Sequence, residues 1–485
     1  MRKLTIFSSL VLLLASSCTK NIQDLNIDGK HAVLVPATSL FTAAEKSLSD
    51  NYTTTSSGIA PFRVFAQAWT ETLYNSEANY VLTAYNSPDN WWGYLYTGTS
   101  TAAGVLNNLT DAKALFPTTV TDQGVLRNDL IITDILEVYA YYLLVATYGN
   151  VPYTQAENRT IPFPKYDDAK TVYTDLLMRL DTCIAGLNPG SIAMGTADQI
   201  YKGSIPAWKK FAASLKLKMA MLLADSDPTT AAAEVQKALT AGVFTSNADN
   251  AQVAYQTSPT GNTNPIWQAI VNSGRHDYVP AAFLVNTMNT LNDPRRPLYF
   301  TTAPGGGYLG GLAGGSNSYG LFSGFSAQLI ATTYPSDLLD YSETNFLLAE
   351  AIERGFSVTG TAEQYYDSAI SASIKFWGGT AAQVTSYLQQ PSVAYSTAAG
   401  TYKEKIGYQE WISDFNKGWD AWTTIRRLGY PDINALSPPV GASTPMPTRF
   451  YYPLVEHSSN ATNYTAAAAT VSGGDNQNGK LFWMP

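Results

Sequence analysis

LIITDILEVYAYYLLVATYGNVPY, residues 130–153, decides the fold. Ile131, Ile135, Tyr139, Tyr142 and Ala146 recur at intervals of three and four, which places them on one stripe of a helix. Gly149 and Pro152 stop that helix. Asp134 and Glu137 interrupt the apolar run too early for it to cross a bilayer, so it reads as a core helix. Its partner runs from about Asp168 to Leu187, with Asp167 as N-cap. A second pair follows, Pro206 to Ala224 and Pro228 to Thr240. A third begins at Ser336 and ends near Gly355. Its partner opens on Thr361 and Gln364, a capping-box spacing, then carries Tyr366, Ile370, Ile374 and Trp377 on one face. A fourth helix, Tyr408 to Leu428, ends at Gly429 and Pro431. Helix pairs recurring along a chain predict an all-α, tetratricopeptide-like scaffold. Residues 247–325 differ: they carry Asn-Thr-Asn-Pro before Ile266, Asp-Pro-Arg-Arg at Asp293, and glycines from Gly305 to Gly315, the chemistry of a long functional loop.

Composition narrows the function. Of 485 residues 45% are hydrophobic and only 14% charged, with 31 Tyr and 10 Trp. A surface hydrated by Asn, Thr, Ser and Tyr suits neutral hydroxyl-rich or amide-rich ligands. The net charge of −8 and the lack of a basic stripe exclude nucleic acid as a partner. The three histidines, His31, His276 and His457, sit beside no nucleophile motif and offer no close His or Cys pair for zinc. Two carboxylates would suffice for glycoside hydrolysis, but most acids fall on helix faces and caps. The expectation is a non-catalytic protein with no metal and no cofactor.

The N-terminus is an address. Arg2 and Lys3, the apolar Leu4–Leu14 and the small Ala15-Ser16-Ser17 precede Cys18, and the stretch resembles a bacterial lipoprotein signal. An ordinary signal peptide would leave Cys18 unmodified. The reading is signal peptide 1–17, lipid anchor at Cys18 with a flexible tether over 18–37, and one helical domain over 38–485. Cys183 would then be an unpaired, buried hydrophobe.

Ordered motifs identify a family. They are Asp89-Asn90-Trp91-Trp92 with Tyr94 and Tyr96, and Tyr148-Gly149-Asn150-Val151-Pro152-Tyr153. Lys165-Tyr166-Asp167, Trp208-Lys209-Lys210-Phe211-Ala212 and Asn292-Asp293-Pro294-Arg295 follow. Leu348-Ala349-Glu350-Ala351, Arg426-Arg427-Leu428-Gly429-Tyr430-Pro431 and Tyr451-Tyr452-Pro453 close the series. The chain resembles the SusD/RagB family of nutrient-binding outer-membrane lipoproteins of Bacteroidetes, in its SusD-like branch. The resemblance implies four tetratricopeptide-like helix pairs carrying a loop-rich face. It implies capture of an oligosaccharide at the cell exterior and hand-over to a SusC-like TonB-dependent outer-membrane transporter. Family members often carry acids just after the cysteine, whereas the nearest acid here is Asp24.

In the family, ligands are met by loops of the N-terminal third and of the central insertion. Carried over, this implies Tyr74, Asn79, Tyr80, Tyr85, Asn86 and Trp91 from the first, and His276, Asp277, Tyr278, Tyr308, Tyr319 and Phe322 from the second. Rings stack on sugar C–H faces while amides and carboxylates meet the hydroxyls. Trp69, Trp92, Tyr96, Trp208, Trp377 and Trp422 lie in apolar stripes and read as core. Arg426-Arg427 reads as charge complementing a helix C-terminus rather than a phosphate clamp. Two rival functions are peptide capture on the same scaffold and a protein-interaction scaffold without a small ligand.

Overall fold

The computed structural model describes residues 35–99 and 103–484. The signal, Cys18, His31 and most of the tether lie outside the described residues. Twelve helices of nine or more residues occur among the described residues: α1 (Ala37–Thr53), α2 (Ser87–Leu95), α3 (Leu106–Thr119), α4 (Gln123–Tyr148), α5 (Ala169–Gly186), α6 (Ile205–Leu222), α7 (Pro228–Ala241), α8 (Ala282–Thr290), α9 (Tyr341–Glu353), α10 (Ala362–Phe376), α11 (Tyr402–Ser413) and α12 (Gly418–Leu428). Six short strands make three antiparallel ribbons: β1 (Trp69–Glu71) with β5 (Tyr278–Pro280), β2 (Val151–Pro152) with β3 (Tyr166–Asp167), and β4 (Ala251–Val253) with β6 (Ser336–Leu339). The fold is all-helical with tetratricopeptide-like pairs, as the periodicity predicts.

The first pair is α4 with α5. Asp122 caps α4 by accepting from the Gly124 and Val125 amides, and Gly149 ends it at φ +91°. The helix is long and apolar enough to span a membrane, yet it is largely buried inside the protein. Its two acids explain why it belongs there: Asp134 and Glu137 bind Lys113 of α3 and Arg179 of α5 at 2.5–2.8 Å. The cap of α5 is Asp168, one residue later than expected, because the Asp167 carboxylate is spent on the Thr154 amide at 2.7 Å. Cys183 is buried beside Asp134, whose carboxylate accepts its thiol at 3.4 Å.

The second pair, α6 with α7, matches its expected bounds within two residues. The third departs from expectation at its start. Ser336–Leu339 is a strand paired with Ala251–Val253, and α9 begins only after Asp340, which accepts from the Glu343 amide at 2.7 Å. A side-chain cap at Asp340 wins over helix propensity before it. The Thr361–Gln364 capping box at α10 forms as read, at 3.0 and 3.2 Å. The expected fourth helix is two: α11 and α12 fold back on each other across Asp414–Lys417. Gly418 opens α12 where a Cβ would stand 2.6 Å from the Arg63 backbone nitrogen, so only glycine fits the turn.

An ionic layer ties the pairs together. Lys218 of α6 binds Glu343 of α9 and Asp420 of α12 at 2.8 and 2.5 Å, and Lys417 binds Asp340, Glu343 and Asp414 at 2.9–3.2 Å. Arg427 pairs with Glu350 and Glu410. Arg426 lies between the Trp422 and Trp483 rings and donates to the carbonyls of Ala146 and Thr448. Both arginines stand in the last turn of α12, where the sequence places them, and they also serve buried partners.

Candidate ligand-binding site

The ribbon β1–β5 builds the site. Its register sets Glu71 opposite Tyr278, so the chain leaving β1 and the chain entering β5 emerge side by side. Between them lies an open cleft of about 440 Å³ lined by Leu73, Tyr74, Tyr85, Arg275, Asp277 and Tyr278, with Glu71 and Ser57 deeper. Tyr74 and Tyr85 are 62% and 47% exposed. Arg275 binds Asp277 at 2.5 Å and holds its guanidinium 5.8 Å from the centre of the Tyr74 ring. The Ser57 hydroxyl donates to Glu71 at 2.6 Å, and the Ala78 amide donates to its other oxygen at 3.1 Å. Burial still pushes the Glu71 carboxyl up to about 7. The cleft thus offers two rings, a carboxylate, a guanidinium and hydroxyls within one concave surface.

The backbone here is unusual. Tyr74, Tyr80 and Asn86 all adopt the left-handed region, at φ +58°, +63° and +53°. Such strain is held in place only by surrounding structure.

Among the residues implied by the resemblance, the structure gathers Tyr74, Tyr85, Asp277 and Tyr278 at the cleft. His276 and Tyr319 are brought together outside its lining, their rings stacked at 4.1 Å. Asn86 is exposed and precedes α2. Phe322 is half-buried and closes the turn Tyr319–Leu321. Tyr308 packs near Phe300 and beneath the Arg296 guanidinium. Tyr80 and Trp91 are core, at 2% and 1% exposure: Tyr80 meets Phe65 edge-on and Trp91 meets Phe62. Neither ring is available to a ligand, which corrects the expectation for both. Asn79 is spent on structure, donating to the Asn75 and Gly314 carbonyls and accepting from the Gly441 amide. Gly314 exists for that contact, since its Cβ would stand 2.0 Å from the Asn79 carboxamide oxygen. That glycine brings protein backbone close to protein.

Leu73 and Arg275 line the cleft without having been expected from the sequence, and Trp267 lies near it in the chain, outside its lining. Nine of the ten tryptophans are buried, and Trp267 alone is not. It immediately precedes the π-helical turn Gln268–Asn272, whose Ala269 lines the cleft. The Asn-Thr-Asn-Pro run just before it was the available signal.

Comparison with known proteins agrees with this architecture. A family model, SusD-like, starch-binding associating with outer membrane, matches residues 30–453. No curated protein matches the chain. Among solved structures, a chitin-binding protein is 26% identical, with a TM-score of 0.76, covering 92% of this chain and 99% of its own. A SusD-like protein from Bacteroides thetaiotaomicron is 24% identical with a TM-score of 0.74, covering 93% and 99%. A chitin-binding SusD homolog from Flavobacterium johnsoniae is 22% identical with a TM-score of 0.73, covering 91% and 98%; these last two share the fold. With its helix pairs and loop-borne cleft, and a match over most of its length, the chain belongs to the SusD-like family of starch-binding proteins that associate with the outer membrane.

Proposed function

We propose that this protein is a surface lipoprotein, anchored through Cys18, that captures an oligosaccharide in the β1–β5 cleft and delivers it uncleaved to a SusC-like TonB-dependent transporter. One observation carries the reading: two largely exposed tyrosines flank a concave surface furnished with a carboxylate, a guanidinium and hydroxyls. Tyrosine rings cover sugar C–H faces, and the polar groups meet the hydroxyls around them. The chitin-binding protein that this chain resembles supports a glycan as ligand. A neutral chain is favoured, because Arg275 already has Asp277 as its counter-ion. Delivery of the sugar uncleaved is part of this proposal. His276 lies against Tyr319, and His457 lies against Tyr464.

The test is calorimetric titration with N-acetylchitohexaose, cellohexaose and maltohexaose. Replacing both Tyr74 and Tyr85 by Ala is expected to weaken binding of the preferred sugar by about tenfold or more, at roughly 1 kcal/mol per ring. The melting temperature should hold within a degree or two, because both rings face solvent. An unchanged affinity, or hydrolysis of the sugar by the purified protein, would end the reading.

A further inference from the structure

A second cleft, of about 570 Å³, lies between α2, the loop joining β2 to β3, and the turn at Leu454–Glu456. It shares no lining residue with the first. The Trp92 and Tyr96 rings, 4.8 Å apart, close its floor at the edge of the core. Pro152, Pro162 and Pro164 stiffen one wall by fixing their own φ. Phe163, between two of these prolines, is 57% exposed.

Two of its carboxylates are short of donors. Glu157 sits at φ +57°, and its carboxylate makes no hydrogen bond or ion pair among the described residues. Burial, with the charges of Asp111 and Glu137 nearby, pushes that carboxyl up to about 7. Asp89 spends one oxygen on the Val455 amide at 3.2 Å and keeps the other buried and unpartnered. Glu456 accepts from the Tyr166 hydroxyl at 2.9 Å. The cation of the cleft, Arg159, is bound away to Asp111 at 2.6 Å.

We propose that this is a second saccharide-binding cleft, taking a neutral oligosaccharide whose hydroxyls donate to Glu157 and Asp89 above the floor that Trp92 and Tyr96 close. The inference rests on the glycan reading above and extends it: one molecule holds two sugar segments, so long chains gain by avidity. Sugars bearing carboxylates are excluded by the same acceptors.

The experiment titrates wild-type protein with N-acetylchitohexaose, cellohexaose, maltohexaose and, separately, pentalysine. It repeats the titration with Tyr74→Ala/Tyr85→Ala, with Glu157→Gln and with Phe163→Ala. Two binding events are expected for one of the sugars in the wild type. The tyrosine double variant should keep one of them, and Glu157→Gln should weaken that one by about tenfold, the scale of a hydrogen bond to a charged group. Phe163→Ala is surface-exposed and keeps the comparison free of folding effects. If the double variant loses all sugar binding while Glu157→Gln and Phe163→Ala match the wild type, the second cleft is refuted and the first stands. Binding of pentalysine at Glu157 in place of sugar overturns it in favour of a cationic peptide. A wild type that binds none of the three sugars sinks both readings together.

Discussion

Glu77 lies fully buried in the turn that follows β1, and neither of its oxygens meets a donor. Burial, and then the charge of Glu71, push its carboxyl up to about 8. In the unfolded chain it would release its proton near 4.5, so between pH 4.5 and 8 the folded state holds a proton that the unfolded state has lost. Stability therefore falls as pH rises through that window, and Glu71 adds to the fall between 4.5 and about 7. From pH 5 to pH 8 the Glu77 carboxyl alone should cost on the order of 3 kcal/mol, so denaturant melts at the two pH values should differ by at least that much, and Glu77→Gln should shrink the difference by about the same amount. Asp134 works at the other end. Burial would raise it, but Arg179 and Lys113 outweigh burial and hold it near 2, so its contribution is present at neutral pH and lost only as pH falls below about 4. At this scale the sequence is partly legible. Tyr74 and Tyr80 share one loop and one left-handed backbone conformation, yet one ring faces solvent and the other Phe65. Which way a ring turns depends on packing from distant segments, and no local pattern encodes it.

Caps were readable where they are side chains at fixed offsets. Thr361 and Gln364 close the start of α10 as their spacing predicts, and Thr361→Ala is expected to lower stability by about 1 kcal/mol in urea denaturation. Glu404, by contrast, shows what periodicity hides: it lies in the first turn of α11, a helix whose apolar rhythm runs on into α12 with only Asp414–Lys417 between. The turn is marked by Gly418, but its cause is the Arg63 backbone, which arrives from elsewhere in the chain. The boundary between β6 and α9 was missed for a related reason. Ser-Asp-Leu-Leu carries enough apolar character for either state, and the β4 partner that settles it lies far upstream.

Seen whole, the second, third and fourth helix pairs are clamped by the ionic layer around Lys218 and Lys417. Three carboxylates, Asp340, Glu343 and Asp414, face Lys417 within 3.2 Å. Lys417→Met leaves Asp340 and Asp414 buried without a counter-ion, while Glu343 keeps Lys218, and is expected to cost about 3–5 kcal/mol, measured by denaturant melts. Loss of the exposed Arg159–Asp111 pair should cost under about 1 kcal/mol. The first three helix pairs were legible because each is a local pattern. The cleft was half-legible: the family resemblance pointed at both loops, but only the three-residue ribbon β1–β5 decides which of their residues meet. The ionic layer has a consequence for how the protein comes apart. A solenoid of independent repeats unzips from its ends, whereas here a lysine of the second pair is neutralised by acids of the third and fourth. Cutting away any one of these three hairpins would strand charge in the middle of the rest, so amide exchange should report a single cooperative opening across the three rather than a gradient from the termini.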